Sequence, residues 1–255
     1  MIAIEFRNYS SYYKVKKEYL RALAEINLAV EAGTLLVIVG ESGSGKSTLI
    51  NACLGLIDLY EGDLLIEGVP VEEIDLKSGK FACVRQEISL YPNKTIYENL
   101  AFPLRIMRTP QAEVDRRVKQ MAEMLDISLM LTRKPRHLSG GQQQRVAIGR
   151  ALIKNPAFLF FDEPFSRIDQ QTRVALRELV RRIHREFSMT TVFATHDLDE
   201  AFALADRIVV LDQGRIVEEG RPEELIKSHR SDILGAYFAS KAAFREASRG
   251  EGETS

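Results

Sequence analysis

The stretch GESGSGKST, residues 40–48, follows the apolar run LLVIV and precedes the amphipathic stretch LINACLGL. It matches the pattern G-x-x-x-x-G-K-[ST]. Glycines let backbone N–H groups point at phosphate oxygens, and the positive end of a helix dipole favours the same anion. A flexible Gly/Ser linker would not lie between a buried strand and an amphipathic helix. The stretch therefore predicts a phosphate-binding loop formed by Gly40, Glu41, Ser42, Gly43, Ser44, Gly45, Lys46, Ser47 and Thr48.

Within this loop two side chains have predicted tasks of their own. Lys46 would reach the β- and γ-phosphates of a nucleotide, and Ser47 would ligate Mg²⁺. The stretch FLFFDEP, residues 158–164, adds two carboxylates at the end of an apolar strand, where open α/β sheets bind ligands. Asp162 is predicted to hold Mg²⁺ through water, and Glu163 to orient or deprotonate a water that attacks the γ-phosphate. A lone Asp-Glu pair would be a solvated turn, but its place after such a strand favours chemistry.

A second anion site is predicted at LSGGQQQR, residues 138–145, which precedes the helical stretch VAIGRALIKN. A serine hydroxyl and two glycines at a helix start leave backbone N–H groups free for an anion. The first loop already surrounds the phosphates of its nucleotide, so both sites cannot readily serve one nucleotide within one chain. We infer that the second site closes on a nucleotide held by another chain.

The elements that must position these residues follow an α/β pattern. Continuous apolar runs at 35–39, 81–84, 157–161, 190–195 and 207–211 predict buried strands of a mostly parallel sheet. Helices are predicted to start near Lys46, Gln170 and Asp197, and further strands in residues 1–33 and 61–71. Residues 87–155 have helical periodicity, which predicts an inserted subdomain rather than a crossover.

The predicted organisation is a core of residues 1–86 and 156–230, a helical subdomain of residues 87–155 that carries LSGGQ, and a C-terminal helix with a flexible polar tail, 231–255. The formal net charge of −1 gives no support for a nucleic-acid footprint. The apolar runs are shorter than the ~20 residues that span a bilayer, and no signal-peptide pattern is visible. Cys53 and Cys83 have no metal-ligand spacing and are expected to be buried thiols.

The P-loop, LSGGQ and FDEP, in this order and spacing, resemble the ATP-binding cassette (ABC) ATPases, specifically the nucleotide-binding subunit of an ABC transporter. The resemblance covers residues 2–228. It implies an α/β fold: a P-loop NTPase (RecA-like) core with an N-terminal antiparallel β region and an inserted α-helical subdomain. It also implies that Ser139, Gly140, Gly141 and Gln142 contact the nucleotide of a partner chain.

The resemblance assigns further residues. Gln86 matches the Q-loop glutamine, which contacts Mg²⁺ and the attacking water, and His196 matches the switch histidine. Tyr13, with Tyr12 as its neighbour, is similar to the aromatic residue that stacks on adenine. Asp169 matches the D-loop aspartate, but the preceding residues, 167 and 168, are Arg and Ile where the family has a small residue and Leu. Because of that departure, the family pattern does not define how the two chains of the dimer communicate here.

The implied function is an ATPase subunit that uses ATP and Mg²⁺, forms a homodimer or heterodimer, and binds transmembrane permease subunits at the cytoplasmic face of the cell membrane. The permease contact is expected around residues 90–106, and a substrate-binding protein is a further expected partner; nucleic acid is not. Stretches such as FDEPFSRIDQQTR resemble importers. Alternatives are an exporter or lipoprotein-release ATPase, which the spacing around Tyr13 favours and the EPF sequence disfavours, and a soluble ABC ATPase acting on nucleic acid, which the short helical insertion disfavours.

Overall fold

Two β-sheets form the framework of the chain in a computed structural model, which describes residues 1–76 and 78–250. The strands are β1 (Ile2–Val15), β2 (Glu18–Glu31), β3 (Leu35–Val39), β4 (Tyr60–Ile66), β5 (Val69–Pro70), β6 (Phe81–Arg85), β7 (Phe158–Asp162), β8 (Thr190–Thr195), β9 (Arg207–Asp212) and β10 (Arg215–Gly220). The helices are α1 (Lys46–Cys53), α2 (Ile96–Ile106), α3 (Gln111–Met124), α4 (Gly140–Leu152), α5 (Gln170–Phe187), α6 (Leu198–Leu204), α7 (Pro222–Lys227) and α8 (Asp232–Gly250).

The larger sheet has the strand order β10-β9-β3-β8-β7-β6. Its pairs are parallel except for the antiparallel β9–β10 hairpin. Every residue of β3, β7 and β8 is buried, which explains why these strands are continuous apolar runs rather than alternating ones. Because parallel strands end at the same edge, the segments after β3, β6, β7 and β8 meet there. Most of the predicted site residues lie at the ends of these four strands or directly after them; Tyr13, residues 139–142 and Asp169 do not.

The smaller sheet, β2-β1-β4-β5, is antiparallel and forms the N-terminal β region. It shares one hydrophobic core with α1 and one face of the larger sheet, to which β3 contributes Leu36 and Ile38. A second core lies on the opposite face, where Leu35, Val37 and Val39 pack with helices α2 to α6. The alternation of neighbouring β3 residues between two cores shows that the larger sheet is covered on both sides.

The helices α2, α3 and α4 lie between β6 and β7 and form the inserted α-helical subdomain. Thr95 starts α2 through a capping box with Glu98, and α2 packs on both α3 and α4. A Cβ at Gly149 would lie 2.5 Å from Leu125 Cδ1, so glycine is needed where α4 is covered by the subdomain core. The exact limits of the subdomain, 87 and 155, stay a prediction.

The predicted strands of the larger sheet agree with the structure to within one residue at each end. The predicted helix starts agree equally well, and α6 begins at Leu198 with Asp197 as its N-cap. The C-terminal helix α8 extends to Gly250, so the helix reaches further into the polar stretch REASRGEGETS than expected; the tail residues 251–255 lie outside the described residues. Cys53 is buried as expected, whereas Cys83 is only partly so. Within the described part of the chain, no helix has the length and apolar character needed to cross a bilayer.

Candidate active site

The loop between β3 and α1 wraps tightly because its first glycine has no room for a side chain. A Cβ at Gly40 would lie 2.1 Å from the Leu211 carbonyl oxygen and 2.6 Å from Ser44 Oγ. Gly45 has φ of +108°, a left-handed conformation that L side chains rarely adopt, and is the N-cap of α1. No side chain caps this helix, and its first turn has no acidic residue. Its first N–H groups therefore remain available to an anion.

Lys46 points back across this loop. Its side chain is 3% exposed, and Nζ donates hydrogen bonds to the carbonyl oxygens of Gly40 at 2.9 Å and Glu41 at 2.8 Å. Nζ also lies 3.2 Å from Glu163 Oε1. A buried ammonium group is stable only with such partners. The result is a positive charge fixed at the position where the motif predicts phosphate.

Ser47 and Asp162 are brought together from α1 and β7. Ser47 Oγ donates a hydrogen bond to Asp162 Oδ1 at 2.7 Å, and Asp162 is 9% exposed. A hydroxyl oxygen and a carboxylate oxygen suit Mg²⁺, which keeps several waters and is usually bound by few protein groups together with substrate phosphates. Within the described residues, no cluster of three or more His, Cys, Asp and Glu could form an all-protein metal site. The residues present therefore fit Mg²⁺ bound jointly with a phosphate.

Glu163 connects the P-loop to His196. It follows β7 with φ of +47°, and its backbone N–H donates to the Ala194 carbonyl of the neighbouring strand β8. Its Oε1 faces Lys46, and its Oε2 lies 3.2 Å from His196 Nδ1. Left-handed backbone in a residue other than glycine costs free energy and is concentrated at functional sites. This backbone places the carboxylate between a buried cation and an exposed imidazole.

A cleft of about 550 Å³ lies beside the P-loop and is lined by residues that include Tyr13, Lys46, Ser47, Thr48, Gln86 and Glu163. The Tyr13 hydroxyl donates a hydrogen bond to Thr48 Oγ1 at 3.3 Å, and Tyr13 is 39% exposed. Predicted residues from four separate segments of the chain, namely Tyr13, the P-loop, Gln86 and Glu163, therefore face one cleft. Its size and polar lining suit a small polar ligand.

The LSGGQ residues are elsewhere. Ser139 and Gly140 are exposed, and residues 139–142 line neither of the two clefts that the P-loop lines. Ser139 is the N-cap of α4 in a capping box: Ser139 N donates to Gln142 Oε1 at 3.0 Å, and Gln142 N donates to Ser139 Oγ at 3.4 Å. The chain itself does not bring this helix start to the P-loop.

Asp169 also lies apart from the P-loop cleft and caps α5, where its Oδ1 accepts a hydrogen bond from Thr172 N at 2.9 Å. A Cβ at Gly141 would lie 2.3 Å from Thr172 Cγ2, so the first turns of α4 and α5 are in close contact. The two residues before Asp169 have different environments. Ile168 is buried, whereas Arg167 points outward and pairs with Glu87 at 3.4 Å, next to Gln86.

Two features escaped the sequence reasoning. Arg173 forms ion pairs with Asp197 and Glu200, beside His196. In addition, α8 contributes Ile233, Ala236 and Tyr237 to a second cleft of about 780 Å³, which Glu163 and His196 also line. The i, i+3 spacing of Asp197 and Glu200 was a usable signal, because such carboxylates at a helix start cap it and attract a cation. Nothing in the sequence indicated where α8 would dock.

A strand, glycine loop and helix N-terminus with a buried lysine, beside a strand that ends in two carboxylates, define a P-loop NTPase fold. The chain belongs to the ABC transporter family, whose model matches residues 23–166.

Among relatives, the sn-glycerol-3-phosphate import ATP-binding protein UgpC of Psychromonas ingrahamii is 40% identical over 222 residues, which are 87% of this chain and 60% of that protein. Across four such import proteins, this chain spans 60 to 66% of each relative's length.

Two solved structures are similar. A dimeric, post-hydrolysis state of the ATP-binding cassette MJ0796, bound to ADP and Pi, has a TM-score of 0.75 and 32% identity, and covers 86% of this chain and 98% of that chain. The structure of cbiO1 from Clostridium perfringens, part of the ABC transporter complex cbiONQ, has a TM-score of 0.81 and 26% identity, and the match covers 89% of this chain and 91% of that chain. Both support the fold assignment.

Proposed function

We propose that this chain is the ATP-binding and ATP-hydrolysing subunit of an ABC transporter that drives import. The observation that carries this proposal is the chain of contacts from Lys46 through Glu163 to His196 at the sheet edge where Ser47 and Asp162 also meet. These residues place a cation, an oxygen ligand pair and a base around one cleft. Phosphoanhydride hydrolysis needs such a set.

Each residue has a proposed task. The N–H groups of the P-loop and the Lys46 ammonium bind the phosphates. Ser47, Asp162 and Gln86 hold Mg²⁺, which when bound neutralises charge on the phosphate oxygens. The Glu163 carboxylate takes a proton from the attacking water, and His196 holds that carboxylate and contacts the γ-phosphate. Tyr13 stacks on the adenine at the mouth of the cleft.

A second chain completes the site. The capping box uses the N–H groups of Ser139 and Gln142, so the exposed start of α4 offers those of Gly140 and Gly141. We propose that residues 139–142 bind the nucleotide of a partner cassette there, with Asp169 at the same interface. The MJ0796 cassette named above is dimeric with bound ADP and Pi, which supports this arrangement. ATP would then favour the closed dimer because it contacts both chains only there.

The proposed permease contact is a cleft of about 370 Å³ between β6, α2 and α4. It is lined by residues that include Tyr91, Phe102, Ile106, Met107, Arg150 and Lys154. Ile106 is 67% and Met107 49% exposed, as expected of apolar residues that a partner helix would cover. Tyr97, also within residues 90–106, does not line this cleft, and its hydroxyl contacts Gln111 and Asp115 of α3. Docking on transmembrane subunits would hold the chain at the cytoplasmic face of a membrane.

Import is proposed because the relatives are named import ATP-binding proteins.

The test of the proposed ATPase site is Glu163→Gln, with Glu186→Gln on the exposed surface of α5 as its control. We expect Glu163→Gln to lower ATP turnover about 10² to 10⁴-fold and to form a dimer in ATP and Mg²⁺, measured by light scattering. The control should hydrolyse ATP like the parent chain. Turnover retained in Glu163→Gln without an ATP-dependent dimer would refute the proposal.

A further inference from the structure

Arg173 joins two segments that the proposed function uses at different ends of the site. It lies in the first turn of α5, and its side chain is 18% exposed. Its Nη2 donates a hydrogen bond to the Ile168 carbonyl oxygen at 3.2 Å, within the D-loop FSRID, residues 165–169. Its Nη1 donates to Asp197 Oδ2 at 3.1 Å. One planar guanidinium group therefore spans the D-loop and the residue after His196.

The carboxylates on the far side of Arg173 are built into the start of α6. Asp197 Oδ1 accepts from Glu200 N at 3.1 Å and thereby caps that helix. Glu200 is 2% exposed, and its Oε2 accepts a hydrogen bond from the Thr195 hydroxyl at 2.7 Å. The Thr195 hydroxyl oxygen in turn accepts from Asp197 N at 3.0 Å. His196 lies between Thr195 and Asp197 in the sequence, so this cluster fixes the backbone on both sides of His196.

The charges make Arg173 essential to the cluster. Burial raises the pKa of Glu200, and the carboxylate of Asp197 acts in the same direction. The Arg173 cation counteracts both, and its Nε lies 3.6 Å from Glu200 Oε1. Removing the guanidinium would take away the ion-pair partner of two neighbouring carboxylates, one of them buried, and leave only the weaker influence of Arg177 on Glu200, which is costly.

One contact in the cluster is incomplete. Arg173 Nε is buried and has no hydrogen-bond partner among the described residues. Its separation of 3.6 Å from Glu200 is an ion pair that is too long for a hydrogen bond. A shift of roughly half an ångström would satisfy this donor at normal hydrogen-bond length.

We propose that Arg173 is a positioning residue through which the D-loop sets the place of His196. The inference rests on the proposed function, in which the D-loop meets the partner chain and His196 meets the γ-phosphate and Glu163. Contact of the partner with residues 165–169 moves the Ile168 carbonyl, and Arg173 transfers that movement to Asp197. The link uses a backbone carbonyl, so it does not depend on which side chains occupy positions 167 and 168. The Arg-Ile departure from the family pattern therefore leaves it intact.

The test is a double-mutant cycle of Arg173 with His196 in the full chain. We expect Arg173→Met to lower kcat roughly tenfold while the KM for ATP and the affinity for a fluorescent ATP analogue stay within about twofold. Arg173→Lys keeps the charge but cannot bridge three groups, so it should recover only part of the loss. In a His196→Ala background, Arg173→Met should cause little further loss, because the residue through which it acts is absent.

Arg181→Met, further along α5, is the matched control and should leave kcat unchanged. If Arg173→Met does not fold, Asp197→Asn takes its place in the cycle, since it breaks the same contact from the other side. A loss of the same factor with and without His196, or unchanged kcat in Arg173→Met, would overturn the inference. Failure of the proposed function has a different signature: the parent chain itself would lack ATP turnover, and His196→Ala would change nothing.

Discussion

The helices α1 and α4 both begin in a stretch rich in serine and glycine, but their surroundings differ. The start of α1 lies at the carboxyl edge of the parallel sheet, with Lys46 almost fully buried and the Asp162 and Glu163 carboxylates adjacent. The start of α4 is exposed and is capped by Ser139 in a capping box with Gln142, whereas no side chain caps α1. Both can bind an anion. Only α1 is surrounded by groups that act on the bound anion.

The difference is one of sheet topology. The start of α1 receives residues from β6, β7 and β8 because these strands end at the same edge. The start of α4 projects from the inserted subdomain, where no strand ends. Its close neighbour is the first turn of α5, through the contact between Gly141 and Thr172. A site that needs α4 must therefore be completed by moving the subdomain or by a second chain, and the proposed dimer is the second of these.

The largest expected effect is a difference in ATP affinity between a variant at the start of α1 and a variant at the start of α4. Lys46→Met should weaken binding of ATP by the isolated chain at least about 10²-fold, because it removes a cation from the phosphates and leaves Glu163 without its ion-pair partner. Ser139→Ala should leave this affinity within about twofold and cost only ~1 kcal/mol of stability through the lost N-cap. Titration calorimetry at protein concentrations that keep the chain monomeric measures both. Equal losses in the two variants would mean that one chain uses both helix starts.

The second prediction concerns the two glycines of LSGGQ. Gly141→Ala places Cβ 2.3 Å from Thr172 Cγ2 and should lower the free energy of unfolding by about 1–3 kcal/mol through overpacking. Gly140→Ala, whose Cβ would lie 3.6 Å from Ile168 Cδ1, should keep its thermal midpoint. It should nevertheless lose ATP-dependent dimerisation, because the added methyl group would lie at the helix start that is proposed to bind the nucleotide of the partner.

Thermal unfolding and light scattering separate these outcomes. Thr172→Ser removes the clashing methyl group, so it should restore the midpoint of Gly141→Ala. A Gly140→Ala chain that still dimerises with ATP would contradict the role proposed for the start of α4.

The residues of the α1 site could be predicted because each follows an apolar strand, and parallel strands place their ends together. The predicted neighbours Lys46, Ser47, Asp162, Glu163 and Gln86 indeed line or adjoin one cleft. The Arg173 cluster could be predicted only in part: the spacing of Asp197 and Glu200 marks its carboxylates, but an arginine on a helix with other arginines has no pattern that marks its partner. The docking of α8 on α6 through Phe202, Tyr237 and Asp199 is likewise a matter of tertiary packing.

The smallest expected effect tests the entrance to the α1 site. Tyr13→Ala should weaken ATP binding by roughly 5- to 30-fold, since ring stacking on a base contributes on the order of 1–2 kcal/mol. Tyr13→Phe removes only the hydroxyl that donates to Thr48 at 3.3 Å and should change affinity less than about threefold. Tyr12→Ala is the matched control on the same strand, because the Tyr12 hydroxyl contacts Glu61 instead.

Stacking tolerates any base, so Tyr13→Ala should weaken GTP binding by a similar factor. If Tyr12→Ala weakens binding as much as Tyr13→Ala, the adenine lies along the hairpin rather than at the P-loop, and the α1 site is wider than its cleft.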